Sequence, residues 1–161
     1  DFRELEQKQN AAKAAAGKAA KEEGAKFLAE NAKKEGIIVT KSGLQYEVLT
    51  PGTGKQPKAT DTVRCHYEGR LLDGTIFDSS VESDARSGEI YNPQRKYEPM
   101  TYVVGRDKLI EGWEKGVMDQ PAGTVLQLVI PSALAYGSRQ ASPVILPYSP
   151  LVFDIEIVSV K

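Results

Sequence analysis

At Gly36 the chain changes its period, and that switch limits what it can fold into. Residues 1–35 are rich in Ala, Lys, Glu and Gln, the strongest helix formers, and their run predicts one long helix. Gly36 stops it, with Lys33 and Lys34 in the last turn complementing the helix dipole. Its large apolar groups are only Phe2, Leu5, Phe27 and Leu28, with alanines between them, so it lacks a full face to bury. It reads as a solvated arm or, because alanine stripes permit close helix approach, as a dimerisation or spacer segment. Beyond Gly36 the period becomes two. Ile38–Thr40 and Leu44–Leu49 are short strand candidates around a Ser42-Gly43 turn, followed by the loop Pro51-Gly52-Thr53-Gly54.

In Thr62–Glu68 the alternation puts Val63, Cys65 and Tyr67 on one face and Arg64, His66 and Glu68 on the other. Asp73-Gly74 is a hairpin signal between Arg70–Leu72 and Thr75–Asp78. Residues 79–99 show no sustained period and read as a long loop. Met100–Val104, the alternating Leu126, Leu128 and Ile130, and the closing Leu151–Val160 complete the strand set. In the stretch VVGRDKLIEGWEKGV, Leu109, Ile110 and Trp113 fall at i, i+1 and i+4. A short helix entered after Gly105 therefore lays all three on one face as a hydrophobic floor. Short antiparallel strands with one short helix predict an α+β fold: a twisted sheet wrapped around that helix, preceded by the long N-terminal helix.

A chain of 161 residues holds one well-packed domain and a modest appendage, so residues 1–36 are assigned to a helical arm and 37–161 to the globular domain. With 21 Lys+Arg against 22 Asp+Glu, no long-range field recruits nucleic acid or an anionic membrane. One cysteine excludes an intramolecular disulfide, and one histidine leaves too few soft ligands for a structural zinc site. His66 lies on the outward face, which sets aside a buried general base and any Ser-His hydrolase scheme. No apolar run approaches the ~20 residues that cross a bilayer. Because the sequence opens on Asp1, earlier removal of a signal peptide or lipid-anchored leader is compatible with it.

The inward aromatic set is Tyr67, Phe77, Tyr102, Trp113, Tyr136 and Phe153. Two readings of it stand side by side. The aromatics are core filling, as most tryptophans at helical spacing are, or they line a concave pocket for a flat apolar group, with Asp78 and Tyr136 as polar handles.

The runs YEGRLLDGTIFDSS, VVGRDKLIEGWEKGV, IPSALAYGS and PLVFDIEIVSV resemble, in the right order, the signature blocks of the FKBP-type peptidyl-prolyl cis-trans isomerases. The preceding ENAKKEGIIVTKSGLQYEVLTPGTGKQP is similar to the junction of the Mip-like bacterial subgroup, where a helical arm precedes the isomerase domain and mediates dimerisation. The resemblance implies a cofactor-free isomerase acting on X-Pro bonds of unfolded or partly folded polypeptides. It makes Trp113 the floor under the prolyl ring, with Tyr67, Phe77, Ile110 and Phe153 as walls and Ile145 at the rim. Tyr102, Leu109 and Ala135 join the substrate-binding set. Tyr136 would donate its hydroxyl to a substrate carbonyl, the Ile110 N–H would bind another, and Asp78 would face the twisting amide. The resemblance also implies macrolide inhibitors as ligands, a homodimer through the N-terminal helix, and a bacterial envelope or periplasmic location, with the cytoplasm as the alternative.

The sequence departs from the family pattern in two places. The loop between Asp78 and Met100 is longer than usual, and Met100 stands where an aromatic is common. In ASPVILPYSP, Leu146 replaces the first of two usual consecutive prolines. Two competing readings follow: a non-catalytic peptide-binding chaperone using the same pocket, and a scaffold whose pocket is filled by its own long loop.

Overall fold

A computed structural model describes residues 2–107, 109–118, 120–137, 145 and 147–161. The chain opens with helix α1, Phe2–Asn31, and then builds strands β1, Ile38–Val39, β2, Gln45–Thr50, β3, Thr62–Arg70, and β4, Ile76–Ser79. Helix α2, Glu82–Ser87, strand β5, Met100–Val103, and helix α3, Glu111–Met118, follow. Strand β6, Val125–Ile130, a 3-10 turn at Ser132–Leu134 and strand β7, Leu151–Val160, complete the order.

The strands form one seven-stranded antiparallel sheet in the order β1-β2-β6-β7-β3-β4, with β5 also paired to β3. β7 is central, joining β6 on one side and the full length of β3 on the other. Its alternation is the reason: Leu151, Phe153, Ile155 and Ile157 are buried on one face, while Glu156 is exposed on the other. β4 and β5 share the remaining edge of β3, β4 pairing with Glu68–Arg70 and β5 with Thr62–Cys65. The chain between them must leave this edge and return to it. α3 lies against β6, where the backbone of Gly116 comes close to Leu128, and its Trp113 and Val117 complete the core.

The sheet over a short helix matches the expected α+β architecture, with three local corrections. α3 begins at Glu111, so Leu109 and Ile110 lie in the approach to the helix rather than on its face. Residues 79–99 contain α2, whose single buried residue, Ala85, leaves no amphipathic period to read. α1 stops at Asn31, so Lys33 and Lys34 fall beyond its last turn. Beyond it the backbone tightens, with the Lys33 N–H donating to the Glu30 carbonyl at 3.2 Å and the Lys34 N–H to the Asn31 carbonyl at 3.1 Å, before Gly36 turns away at φ +87°. A side-chain lock sits at this end: the buried Asn31 donates to Gln45 Oε1 at 2.8 Å, and Gln45 Nε2 donates to the Leu28 carbonyl at 2.8 Å.

That lock also means the arm is docked at its C-terminal end. Pro150 packs against Gly24, and Lys21 Nζ lies 5.1 Å from the centre of the Tyr148 ring. The other end matches the expected thin apolar surface, with Phe2 and Leu5 exposed. No helix among the described residues is long and apolar enough to cross a membrane.

Candidate functional site

Four rings meet where the sheet curls over α3. Trp113, presented by the first turn of α3, packs edge-on against Tyr67 of β3 at 5.3 Å and against Phe153 of β7 at 5.1 Å between centroids. Phe77 of β4 closes the group, 5.6 Å from Phe153 and nearly perpendicular to it. Edge-to-face contacts of this kind fix ring orientation beyond what area burial would do. They leave a cavity of about 440 Å³ lined by Tyr67, Phe77, Asp78, Met100, Leu109, Ile110, Glu111, Trp113, Ala135, Tyr136 and Phe153.

Gly69 makes room for this arrangement. A Cβ there would stand 2.7 Å from Phe77 Cζ and 2.8 Å from Phe153 Cε1, so only a residue without one lets both rings lie over the β3 backbone.

The polar edge of the cavity is organised around Asp78. Tyr67 donates its hydroxyl to Asp78 Oδ2 at 2.6 Å. Arg95, from the segment between α2 and β5, donates to Asp78 Oδ1 at 2.7 Å and to the Tyr67 hydroxyl oxygen at 3.2 Å. Burial pushes the Tyr67 phenol up to about 12, reinforced by the Asp78 carboxylate, so it is a neutral donor at neutral pH. The same hydrogen bond to Asp78 raises Arg95 above its usual value and keeps the guanidinium charged.

On the opposite wall, the Ser132–Leu134 turn delivers Ala135 and Tyr136 to the cavity, and Gly137 accepts from the Tyr148 N–H at 2.8 Å. Ile110 immediately precedes α3, where the backbone N–H groups of a helix's first turn have no partner within the helix.

Of the eleven residues singled out from the sequence, nine line this cavity. Tyr102 does not. It shares a face of β5 with Met100 but sits one strand repeat further along, which carries it past Trp113 to a separate cavity beside Glu114 and Met118. Ile145 is not among the lining residues either; it is buried in the core cluster that also holds Tyr67, Trp113 and Phe153. Leu146 and residues 138–144 lie outside the described residues.

Arg95, Gly69 and Glu111 were not anticipated from the sequence. Glycine inside a strand pattern could have flagged Gly69. Nothing local marks Arg95, whose partner is seventeen positions away. The reading in which the long loop fills the pocket is overturned: residues 82–97 fold beside the cavity as α2 and a turn, and only Arg95 reaches its edge.

His66 does meet a hydroxyl, with Nδ1 3.0 Å from Ser80 Oγ. Ser80 is 1% exposed and accepts from the Tyr67 N–H at 2.8 Å, so it is a structural brace, closed to any substrate. Burial likewise pushes the Cys65 thiol up to about 12 and keeps it protonated. The arrangement offers an aromatic recess with the carboxylates of Asp78 and Glu111 in its lining, and among the described residues the Ser80 hydroxyl and the Cys65 thiol are both buried away from it. It suits chemistry by differential binding.

Comparison with known proteins agrees with that geometry. The model of the FKBP-type peptidyl-prolyl cis-trans isomerase family matches residues 53–158, and that of the domain amino terminal to FKBP-type peptidyl-prolyl isomerase matches residues 1–48. The chain is 42% identical over 159 residues to the FKBP-type 22 kDa peptidyl-prolyl cis-trans isomerase of Escherichia coli, covering 99% of this chain and 70% of that protein. It is 38% identical over 141 residues to the outer membrane protein MIP of Legionella longbeachae, covering 88% of this chain and 54% of that protein. Among solved structures, FkpA from Escherichia coli superposes with a TM-score of 0.81 at 32% identity, over 99% of this chain and 68% of that one. The chain spans about half the length of several other curated relatives that it matches.

Proposed function

This chain belongs to the FKBP-type peptidyl-prolyl cis-trans isomerases, and from that premise we propose that it turns X-Pro bonds in the cavity floored by Trp113. Rotation about a peptide bond meets a barrier of ~18–20 kcal/mol because the C–N bond is partly double, and X-Pro bonds isomerise in tens to hundreds of seconds. The planar amide is the more polar state, and resonance is lost halfway through the turn. A dry aromatic recess penalises the twisted form less, relative to the planar one, than water does. A million-fold acceleration requires roughly 8 kcal/mol. Differential binding of the twisted state can supply it without a nucleophile.

The observation that carries this reading is the closed set of edge-on rings around an open recess with a paired carboxylate at its rim. In it the prolyl ring sits on Trp113 between Tyr67, Phe77, Ile110 and Phe153. Tyr136 donates to one substrate carbonyl and the Ile110 N–H to another, while Asp78 faces the twisting amide. Asp78 acts by its field, since no proton must move. Met100 and Glu111 complete the wall, and macrolide inhibitors would occupy the same recess.

The substrates are proline-containing unfolded or partly folded polypeptides. Residues 1–36 form an arm on the isomerase domain of residues 37–161, and the exposed Phe2 and Leu5 at its far end support pairing of two arms in a homodimer. A bacterial envelope location fits the likeness to a protein named as an outer membrane protein.

The test is the rate of cis-to-trans conversion of a short X-Pro peptide with the intact chain, Asp78→Ala and Phe153→Leu. Acceleration that is lost or sharply reduced in both variants supports this site. Absence of acceleration in the intact chain, with suppressed aggregation of an unfolded client, would replace it by the peptide-binding chaperone.

A further inference from the structure

The segment between β4 and β5 carries a set of contacts that begins and ends on β4. At its start Ala85 of α2 is fully buried, the backbone of Gly88 packs on Ile76, and Ser79 Oγ lies 3.4 Å from Asp84 Oδ2. Arg86 then places its guanidinium carbon 3.8 Å from the centre of the Tyr91 ring. Tyr91 stacks on Tyr97 with centroids 5.5 Å apart and planes 17° apart. The Arg95 guanidinium lies 5.1 Å from the Tyr97 ring centre, and the same group bonds Asp78 and the Tyr67 hydroxyl.

Backbone N–H groups, two of them donating to side chains, tie this ladder together. Asn92 N–H donates to the Tyr97 hydroxyl at 3.0 Å, Arg95 N–H donates to the Asn92 carbonyl at 3.1 Å, and Gln94 N–H donates to Asn92 Oδ1 at 2.9 Å.

We propose that Tyr91 and Tyr97 are positioning residues of the isomerase site, their stacked rings holding Arg95 on Asp78 and Tyr67. The proposal rests on the role given above to Asp78. The Arg95 and Asp78 side chains are 37% and 39% exposed, and an ion pair that open contributes little because a long side chain must surrender its rotamer freedom. A guanidinium already laid against an aromatic ring has surrendered much of that freedom beforehand, and it gains cation–π attraction there. With Arg95 on one carboxylate oxygen and Tyr67 on the other, the plane of Asp78 is set before a substrate arrives. Preorganised charge of this kind needs no rearrangement during the reaction. The added length of residues 79–99 thereby serves the site from outside it.

The experiment measures kcat/KM on an X-Pro peptide for the intact chain and six variants: Asp78→Ala, Arg95→Ala, Tyr91→Ala, Tyr97→Ala, Tyr97→Phe and the Tyr97→Ala/Arg95→Ala double variant. Thermal unfolding and Trp113 fluorescence are recorded for each. Tyr91→Ala and Tyr97→Ala are expected to lower kcat/KM roughly three- to tenfold, about as much as Arg95→Ala, with the double variant no worse than Arg95→Ala alone. Tyr97→Phe, which keeps the stack, should retain most of the rate, and Trp113 fluorescence should be unchanged throughout. An undiminished rate in Tyr97→Ala beside an impaired Arg95→Ala overturns the proposal, as do losses that multiply in the double variant. If neither Asp78→Ala nor Arg95→Ala lowers the rate, the reading of Asp78 fails, and the proposal fails with it.

Discussion

The Tyr67 hydroxyl donates to Asp78 Oδ2 across 2.6 Å while the ring of the same residue stands edge-on to Trp113. One side chain thus serves as wall and as anchor for the carboxylate. Tyr67→Phe separates the two roles, keeping the ring and removing the donor. It should cost about 1 kcal/mol of stability, the usual net worth of one hydrogen bond. It should also lower kcat/KM by roughly two- to tenfold, on the order of that same interaction energy. Urea unfolding and the X-Pro peptide assay measure the two effects. An unaltered rate would mean that Asp78 is held well enough by Arg95 alone.

Phe153 is 3% exposed and touches the rings of Tyr67, Phe77 and Trp113. Phe153→Ala should therefore destabilise the fold by ~3–5 kcal/mol, which confounds any activity reading. Phe153→Leu should cost about 1–2 kcal/mol and still blunt the isomerase rate by removing a flat wall. Denaturant midpoints for both variants, measured with far-UV circular dichroism, check the ordering.

A Cβ at Gly116 would stand 2.5 Å from Cδ2 of the fully buried Leu128. Alanine inside a helix is favoured over glycine by about 1 kcal/mol, but overpacking a core costs ~1–3 kcal/mol. Gly116→Ala is expected to lower the melting temperature, since α3 cannot retreat from β6 without displacing Trp113. A higher melting temperature would show that Leu128 can move aside freely.

Alkaline pH should unfold the protein earlier than its surface charge alone would suggest. Burial raises Cys65 from 9.0 to about 12 and Tyr67 from 10.0 to about 12, so the unfolded chain releases these protons first. Their stabilising contribution is complete below pH 9 and falls as pH rises, from about 9 for Cys65 and from about 10 for Tyr67 up to about 12, by at most about 1.4 kcal/mol per pH unit for each group. Cys65→Ala should flatten the part of that fall beginning near pH 9. Urea midpoints from pH 8 to 11 test it, and parallel slopes for the two proteins would count against the cysteine.

Gln45→Ala should loosen the arm while sparing the pocket. It leaves the buried Asn31 amide without its partner and releases the Leu28 carbonyl. The cost is ~1–3 kcal/mol for the unsatisfied group. Faster hydrogen exchange over residues 21–31, with an unchanged X-Pro peptide rate, is the expected outcome. Slow exchange there would mean that Pro150 and Tyr148 hold the helix by themselves.

Much of the fold was legible because its signals are local. The alternation in β7 and β3, the Asp73-Gly74 turn and the helix formers before Gly36 each act within a few residues. The short α2 was not legible, since one buried alanine in six residues makes no period. Nor was the true start of α3, because apolar spacing cannot tell a helix face from the approach to a helix.

The sequence by itself determined a helical arm and a sheet over a short helix, since alternation and turn chemistry are properties of neighbouring residues. Spacing alone left the rings open between core and pocket, and their grouping into a site was implied by the resemblance of their blocks to the family. Only the tertiary structure decided where those rings stop lining the pocket. Tyr102 and Met100 share a strand face, yet the turn of α3 beneath them sends one to a second cavity. The tertiary structure also brought Arg95 to Asp78 and Asn31 to Gln45. Those pairings join side chains far apart along the chain, and no local pattern records such a meeting, because it exists only once the sheet has closed.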